Sequence, residues 1–354
     1  MTAVERIQAF LPDEKTAALV TSDVNRRYLS GFSSSAGAVL VTKNRCVLLL
    51  DFRYFEAAQK AVRPPVEVVR FRRLLDDLNR ILLEEDIQSV LIEDESVTVA
   101  RLYELKETLI PQVLCSGLSK RISEIRTVKT PDEVAKIRTA QQITERAYLE
   151  ALNFLRPGVT ERRIAVELEH LIHVYGGERV AFDLICITGE NTSLPHGVPG
   201  DREVRDGDFF TFDIGAVYQG YHSDMTRTVA VGHADDDMRM IYDIVLTAHQ
   251  NALRAIRKGN TAGMVDLAAR EYIERCGYGE YFGHSTGHGV GLEIHESPTV
   301  FKTDDTVLDD GMVITDEPGI YLPGRFGVRI EDLVLVNGDE PVDLAGISKE
   351  LLIL

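Results

Sequence analysis

Four carboxylic acids stand in segments that are otherwise apolar. Asp213 lies in "TFDIGA", Asp224 in "HSDMTRT", Glu317 in "TDEPGI" and Glu331 in "RIEDLV". A single acid in a strand is ordinarily at an edge or on a solvated face. Four in one core must be compensated, because an unpaired buried charge costs several kcal/mol or more. Arg227 and Arg329, close by in sequence, can supply part of the compensation. Two divalent cations are the stronger solution. Oxygen-rich ligation with a single imidazole suits Mn²⁺ and tolerates Co²⁺, Fe²⁺ or Zn²⁺.

The imidazoles come from "GHSTGHGVGLEIHE", Gly283 to Glu296, which holds His284, His288 and His295 among four glycines. The run lacks the spacing of a phosphate loop, of HExxH or of a zinc finger. Read as one strand, it turns His288 and His295 to opposite faces unless a bulge intervenes. Glycines at 287, 289 and 291 predict close approach by a ligand or another segment. One histidine as ligand, with the others as wall residues, is the economical reading. His196, in "GENTSLPHGVPGD", lies 99 residues before His295 in a Gly- and Pro-rich loop, whose default place is the surface.

These residues need elements to hold them. A helix is expected from Thr130, with Pro131 in its first turn and Glu133 completing a capping box. It runs to about Phe154 and stops at Pro157-Gly158; Thr160 then caps a second helix that ends at Gly176. Residues 147–176 align without gaps on 248–277 at an offset of 101, with matching Gly and Thr at the helix break and cap. Each helix pair is followed by a strand-rich block: "FFTFDIGAVYQG" and "SDMTRTVAVG" in the first, "GMVITDEPGIYL" and "GVRIEDLVLV" in the second. The acids recur at offsets of 104 and 107. This pattern is an internal duplication, and two such halves facing each other predict one curved sheet with the four carboxylates near its axis.

Ahead of this block, "AALVTS", "GAVLVTK", "CVLLLDF", "VEVVRF" and "SVLIED" read as strands, with helical leucine spacing in "LLDDLNRILLEE" and "ARLYELKETL". The expected organisation is an α/β domain over residues 1–120 and an α+β domain with two-fold duplication over 121–354. A chain of 354 residues carries two domains comfortably. Its 56 acidic against 39 basic residues, a formal charge of −17, make it a poor partner for nucleic acid or anionic lipid. Four scattered cysteines without CxxC spacing read as free thiols of a reducing cytosol. No secretory signal or membrane-length apolar run is visible, so a cytoplasmic location is expected.

Taken in order, "FDLICITGENTSLPHG", "TFDIGA", "YHSDMTRT", "GHSTGHGVGLEIHE", "TDEPGIY" and "GVRIED" resemble the motifs of the pita-bread metallopeptidases, and within them the Xaa-Pro peptidases, aminopeptidase P and prolidase. "NRRYLSGFSSSAGAVLV" and "LLLDFRYFEAA" resemble that family's creatinase-like amino-terminal domain. The resemblance implies Asp213, Asp224, His288, Glu317 and Glu331 as ligands of two metal ions, with Asp224 and Glu331 bridging. It implies His196, His284 and His295 as substrate-binding histidines and Glu317 as the proton shuttle. It also admits a homodimer. The implied substrate is a peptide with proline second, whose X-Pro bond is a tertiary amide with a locked φ.

Two departures matter. Thr299 stands where many prolidase-like members carry an Arg associated with gripping a dipeptide's carboxylate, which favours an aminopeptidase acting on longer peptides over a prolidase. Asp316 stands beside Glu317 where the family usually has an apolar residue. Strand alternation turns it away from the metals, where it can form a salt bridge across the sheet. A methionine aminopeptidase would not need the long amino-terminal domain, a creatinase-like enzyme is expected to have lost metal ligands, and so is a non-catalytic binding protein on this scaffold.

Overall fold

The computed structural model describes residues 1–110 and 113–354, which divide into two units, Met1–Arg126 and Thr127–Leu354. The division lies six residues beyond the expected 120/121. The reason is a helix, Leu118–Thr127, whose Leu118, Ile122 and Ile125 belong to the amino-terminal core.

In that unit six strands form one sheet: β1 (Thr16–Val20), β2 (Ala38–Val41), β3 (Cys46–Leu50), β4 (Val66–Arg70), β5 (Ser89–Ile92) and β6 (Val113–Cys115). Their order is β4-β3-β2-β1-β5-β6. β2 is antiparallel to both neighbours and the other pairs are parallel. β1, β2 and β3 are buried along their whole length. One face packs under α1 (Ala3–Phe10), α2 (Asp23–Ser30), α3 (Phe52–Ala61) and α6 (Leu118–Thr127), and the other under α4 (Leu74–Glu84) and α5 (Val99–Thr108). A sheet covered on both faces has no solvent side to alternate towards, which is why these strands read as unbroken apolar runs.

The second unit is built twice over from a helix pair and a set of strands. The pairs are α7 (Pro131–Ala151) with α8 (Glu161–Val174), and α9 (Asp236–Ala255) with α10 (Ala262–Arg275). Thr130 caps α7 through a full capping box with Glu133. Thr160 and Thr261, 101 residues apart, cap α8 and α10 in the same way, each accepting from the backbone N–H three residues on. Gly158 and Gly259 share a left-handed φ of 87° and 89°, and bridges pair Thr160 with Glu203 and Thr261 with Val307. The duplication therefore holds in backbone conformation as well as in residue type.

The strands of the first half are β7 (Arg179–Val180), β8 (Ile185–Thr188), β9 (Phe209–Ile214), β10 (Ala216–Tyr218), β11 (Tyr221–His222) and β12 (Met225–Ala230). Those of the second are β13 (Gly287–Gly289), β14 (Glu296–Val300), β15 (Val313–Asp316), β16 (Gly319–Leu322), β17 (Phe326–Arg329), β18 (Asp332–Leu335) and β19 (Val342–Asp343). Their inner faces pack on the helix pairs in two cores, one per half.

The expected single curved sheet is divided. β12-β9-β8 and β11-β10-β7 form three-stranded sheets, β14-β13-β15-β18-β19 a five-stranded one and β16-β17 a two-stranded one. Three of the expected long strands break once, at Gly215, at Glu317-Pro318 and at Ile330-Glu331, and the fourth begins only after Ser223-Asp224, a break that separates it from β11. Pro318 has no N–H to continue a ladder. Across the halves, Glu331 N–H donates to Thr226 O (3.1 Å), and Thr228 Oγ1 bonds the backbone of Arg329. Among the described residues, no helix is long and apolar enough to cross a membrane.

Candidate metal centre

The breaks are where the acids sit. Asp213 is near the end of β9, Asp224 immediately precedes β12, Glu317 immediately follows β15, and Glu331 joins β17 to β18. The expectation of acids in mid-strand is thus corrected for three of the four. A strand end frees a carboxylate from the strict up-down alternation of a ladder, so residues of different registers can converge.

Asp224, His288 and Glu331 each present a ligand atom, all within 4.8 Å of one another. His288 Nε2 is 3.6 Å from Asp224 Oδ2 and 3.4 Å from Glu317 Oε1. Its Nδ1 lies 3.1 Å from Gly289 O. An N–H at Nδ1 donating to that carbonyl leaves the Nε2 lone pair facing the acids, the tautomer a metal ligand needs. Thr226 Oγ1 donates to Glu331 Oε2 at 2.6 Å, and Thr315 Oγ1 to Glu317 Oε1 at 3.3 Å.

Asp213 is held differently, by Arg329 Nη2 at 2.6 Å. Arg329 is itself buried and bonds Thr226 Oγ1, Tyr321 Oη and Pro195 O. Arg227, the other expected compensating cation, turns to the opposite side and pairs with Asp332 at 2.7 Å. One guanidinium thus serves four acids. Burial first, then the neighbouring carboxylates, push Asp224 and Glu331 well above the usual carboxylate range, and Glu317 is pushed up to about 7 by burial and then by Asp213. A buried set of four carboxylates and one imidazole, short of positive charge, fits divalent cations.

The histidine run is not one strand. β13 and β14 form a hairpin with a register shift at His288/Gly289, and the chain turns between Val290 and His295. The two rings therefore meet, with centroids 4.3 Å apart at 68°, rather than facing opposite ways. His295 is exposed while His288 is largely covered. The glycines are explained by another segment: a Cβ on Gly287 would lie 2.1 Å from Thr315 O, and one on Gly289 2.2 Å from Ser297 O. His284 Nδ1 donates to Ser285 O at 2.7 Å, and its Nε2 takes the hydroxyl of Tyr321 at 2.8 Å. Tyr321 in turn accepts from Arg329. Burial, then Arg329, bring His284 down to about 4. His196 is exposed on its loop.

The profile of metallopeptidase family M24 matches residues 135–338, and that of the creatinase/prolidase N-terminal domain matches residues 4–128. The chain belongs to metallopeptidase family M24. An Xaa-Pro dipeptidase of Pyrococcus horikoshii is 39% identical to this M24 chain over 337 residues, covering 95% of the chain and 94% of the relative. The structure of an Xaa-Pro dipeptidase from Bacillus anthracis superposes with a TM-score of 0.95 at 39% identity, over 99% of each chain. An X-Pro aminopeptidase from Thermotoga maritima superposes at 0.92 with 34% identity, over the whole of both chains.

The M24 unit also uses residues that the sequence reading passed over. Thr226 ties Glu331 to Arg329, and Tyr321 ties His284 to Arg329. Thr226 follows Asp224 by two, the period that shares a strand face, so its signal was present; Tyr321 lies beyond the break at Pro318, where periodicity is lost. Asp316 turns away from the other acids, as alternation requires, but it is fully buried. It faces His249 of α9 at 3.7 Å, an imidazole that burial lowers but Asp316 and Asp332 bring above the usual histidine range, so its ion-pair partner lies on the helix and not across the sheet.

Proposed function

We propose that the protein hydrolyses the peptide bond before a proline in second position, with two divalent cations held by Asp213, Asp224, His288, Glu317 and Glu331. The observation that carries this reading is the convergence of Asp224, His288 and Glu331 within 4.8 Å, with Glu317 3.4 Å from the same imidazole. When bound there, two such cations, Mn²⁺ by preference, would supply a water acidic enough to ionise at neutral pH and a polarised scissile carbonyl. Glu317 accepts the proton of the attacking water and delivers it to the leaving proline nitrogen, the exchange a carboxylate beside both groups can perform. His295 and His196, both exposed towards solvent, donate to the charge that develops on the carbonyl oxygen. His284, with both ring nitrogens engaged, shapes the wall.

Two observations bear on peptide length. Position 299 is an exposed Thr, Arg329 is committed to Asp213 and Arg270 to Asp266, which leaves a dipeptide carboxylate without these grips and favours release of the first residue from longer peptides. The relatives named Xaa-Pro dipeptidase favour the second reading, cleavage of the dipeptide itself. Hydrolysis of Ala-Pro and Ala-Pro-Ala is compared side by side on chelated and Mn²⁺-loaded protein. Metal-dependent cleavage of the tripeptide with little of the dipeptide is expected; preferential cleavage of the dipeptide makes the protein a prolidase, and cleavage of neither rejects the function.

A further inference from the structure

Two of the histidines in this site ride on loops, and a loop cannot hold a side chain to the tolerance that catalysis requires unless something rigid grips it. The second helix of each half does the gripping, through a carboxylate that takes no part in the metal centre. In the first half it is Glu161, the first residue of α8, fully buried. Its Oε1 accepts from Thr188 N at 2.8 Å and Asn191 Nδ2 at 2.9 Å, and its Oε2 from Gly200 N at 2.8 Å. These donors lie on both sides of His196 in the chain, so one carboxylate closes the loop that presents the imidazole.

In the second half it is Asp266 of α10, also fully buried. Arg270, one turn on, meets it with two bonds of 2.7 Å. The Arg270 fork then donates to Phe282 O at 3.0 Å and His284 O at 2.7 Å, while Asp266 Oδ1 accepts from Thr286 N at 3.1 Å and Thr286 Oγ1 at 2.7 Å. Thr286 O accepts from Glu317 N at 2.8 Å. The pair thus fixes the backbone on either side of His284 and, one bond further, that of Glu317. Glu161 and Asp266 are not equivalent under the duplication, since 161 corresponds to Ala262. The two halves meet the same requirement with different residues.

We propose that Glu161 and Asp266 are positioning residues, each holding from its helix the loop that carries a substrate-facing histidine, His196 in the first half and His284 in the second. The proposal rests on the reading of the site as an Xaa-Pro peptidase for its kinetic consequence, but not for its structural one. Glu161→Gln and Asp266→Asn each replace an acceptor oxygen by an amide that faces N–H groups already aimed at it.

The test uses the full-length, Mn²⁺-loaded protein. In Glu161→Gln, kcat/KM on the preferred peptide is expected to fall by about tenfold or more, the order of effect of a misplaced catalytic group, with Mn²⁺ stoichiometry unchanged. Backbone amide exchange should accelerate across residues 188–200, and Glu161→Gln/His196→Ala should be no slower than His196→Ala alone. Asp266→Asn should likewise lose rate, with faster exchange at residues 282–286. Multiplying effects in Glu161→Gln/His196→Ala, or unchanged exchange in either loop, overturn the proposal. If Glu161→Gln does not fold, Glu161→Asp keeps the charge and shortens the reach. An intermediate rate with a native melting point then supports the proposal, and a wild-type rate overturns it. A wild-type protein inert on every Xaa-Pro peptide rejects the function instead, and the exchange measurement still decides the positioning role.

Discussion

His284 shows what burial does to one side chain. Its imidazole is neutral down to about pH 4 in the folded chain, whereas an unfolded histidine titrates near 6.5. Between those values the unfolded chain binds a proton that the folded chain does not, so stability falls as pH drops from about 6.5 to about 4 and levels off below. The shift corresponds to about 3 kcal/mol at the acid end. Urea unfolding of chelated wild-type and His284→Gln protein at pH 7 and pH 4.5 measures this: the variant should lose less stability on acidification. An equal loss in both would place His284 in contact with solvent. The residue types of the site were legible in the sequence because acids and glycines in apolar strands contradict their neighbours. Tyr321 and Asp316 were harder. A tyrosine in a strand is an ordinary core residue until its hydroxyl is seen between His284 and Arg329, and the partner of Asp316 is His249, on a helix 67 residues earlier in the chain.

At the scale of elements, helices were read nearly to the residue and strands were not. Thr130, Thr160 and Pro157-Gly158 are local signals, and local chemistry decides where a helix starts and stops. Where a strand leaves one sheet for another depends on partners distant in sequence, so the four breaks and the folding-back of the histidine run were invisible beforehand. Those partners also explain the glycines. A methyl on Gly289 would overlap Ser297 O at 2.2 Å, so Gly289→Ala must part β13 from β14 and carry His288 away from Asp224. We expect this variant to lose at least about 2 kcal/mol of stability, as for other overpacked positions, and most of its metal affinity. Gly283→Ala, whose added Cβ meets nothing within 4 Å, serves as the control and should melt and bind as wild type does. Normal Mn²⁺ binding by Gly289→Ala would mean that the hairpin does not position His288.

At the scale of the molecule, duplication turns four separate anomalies into one site. Each half brings acids to its own strand breaks, and the halves join where Glu331 N–H meets Thr226 O. Carboxylates from both halves therefore share one cluster, and neither half alone has enough donors for two cations. The duplication was visible in the 101-residue offset because caps and helix breaks constrain residue type; the separation into four sheets was not, since no residue type marks it. The central claim is that these acids and His288 hold two cations on which peptide-bond hydrolysis depends. The measurement that tests it most directly is calorimetric titration of chelated protein with Mn²⁺, with Ala-Pro-Ala and Ala-Pro hydrolysis followed over the same titration in wild type and Asp224→Ala. Two ions per wild-type chain are expected, with hydrolysis appearing as they bind, and neither binding nor hydrolysis is expected in the variant. Hydrolysis by the chelated protein, or full activity with native metal content in Asp224→Ala, would contradict it.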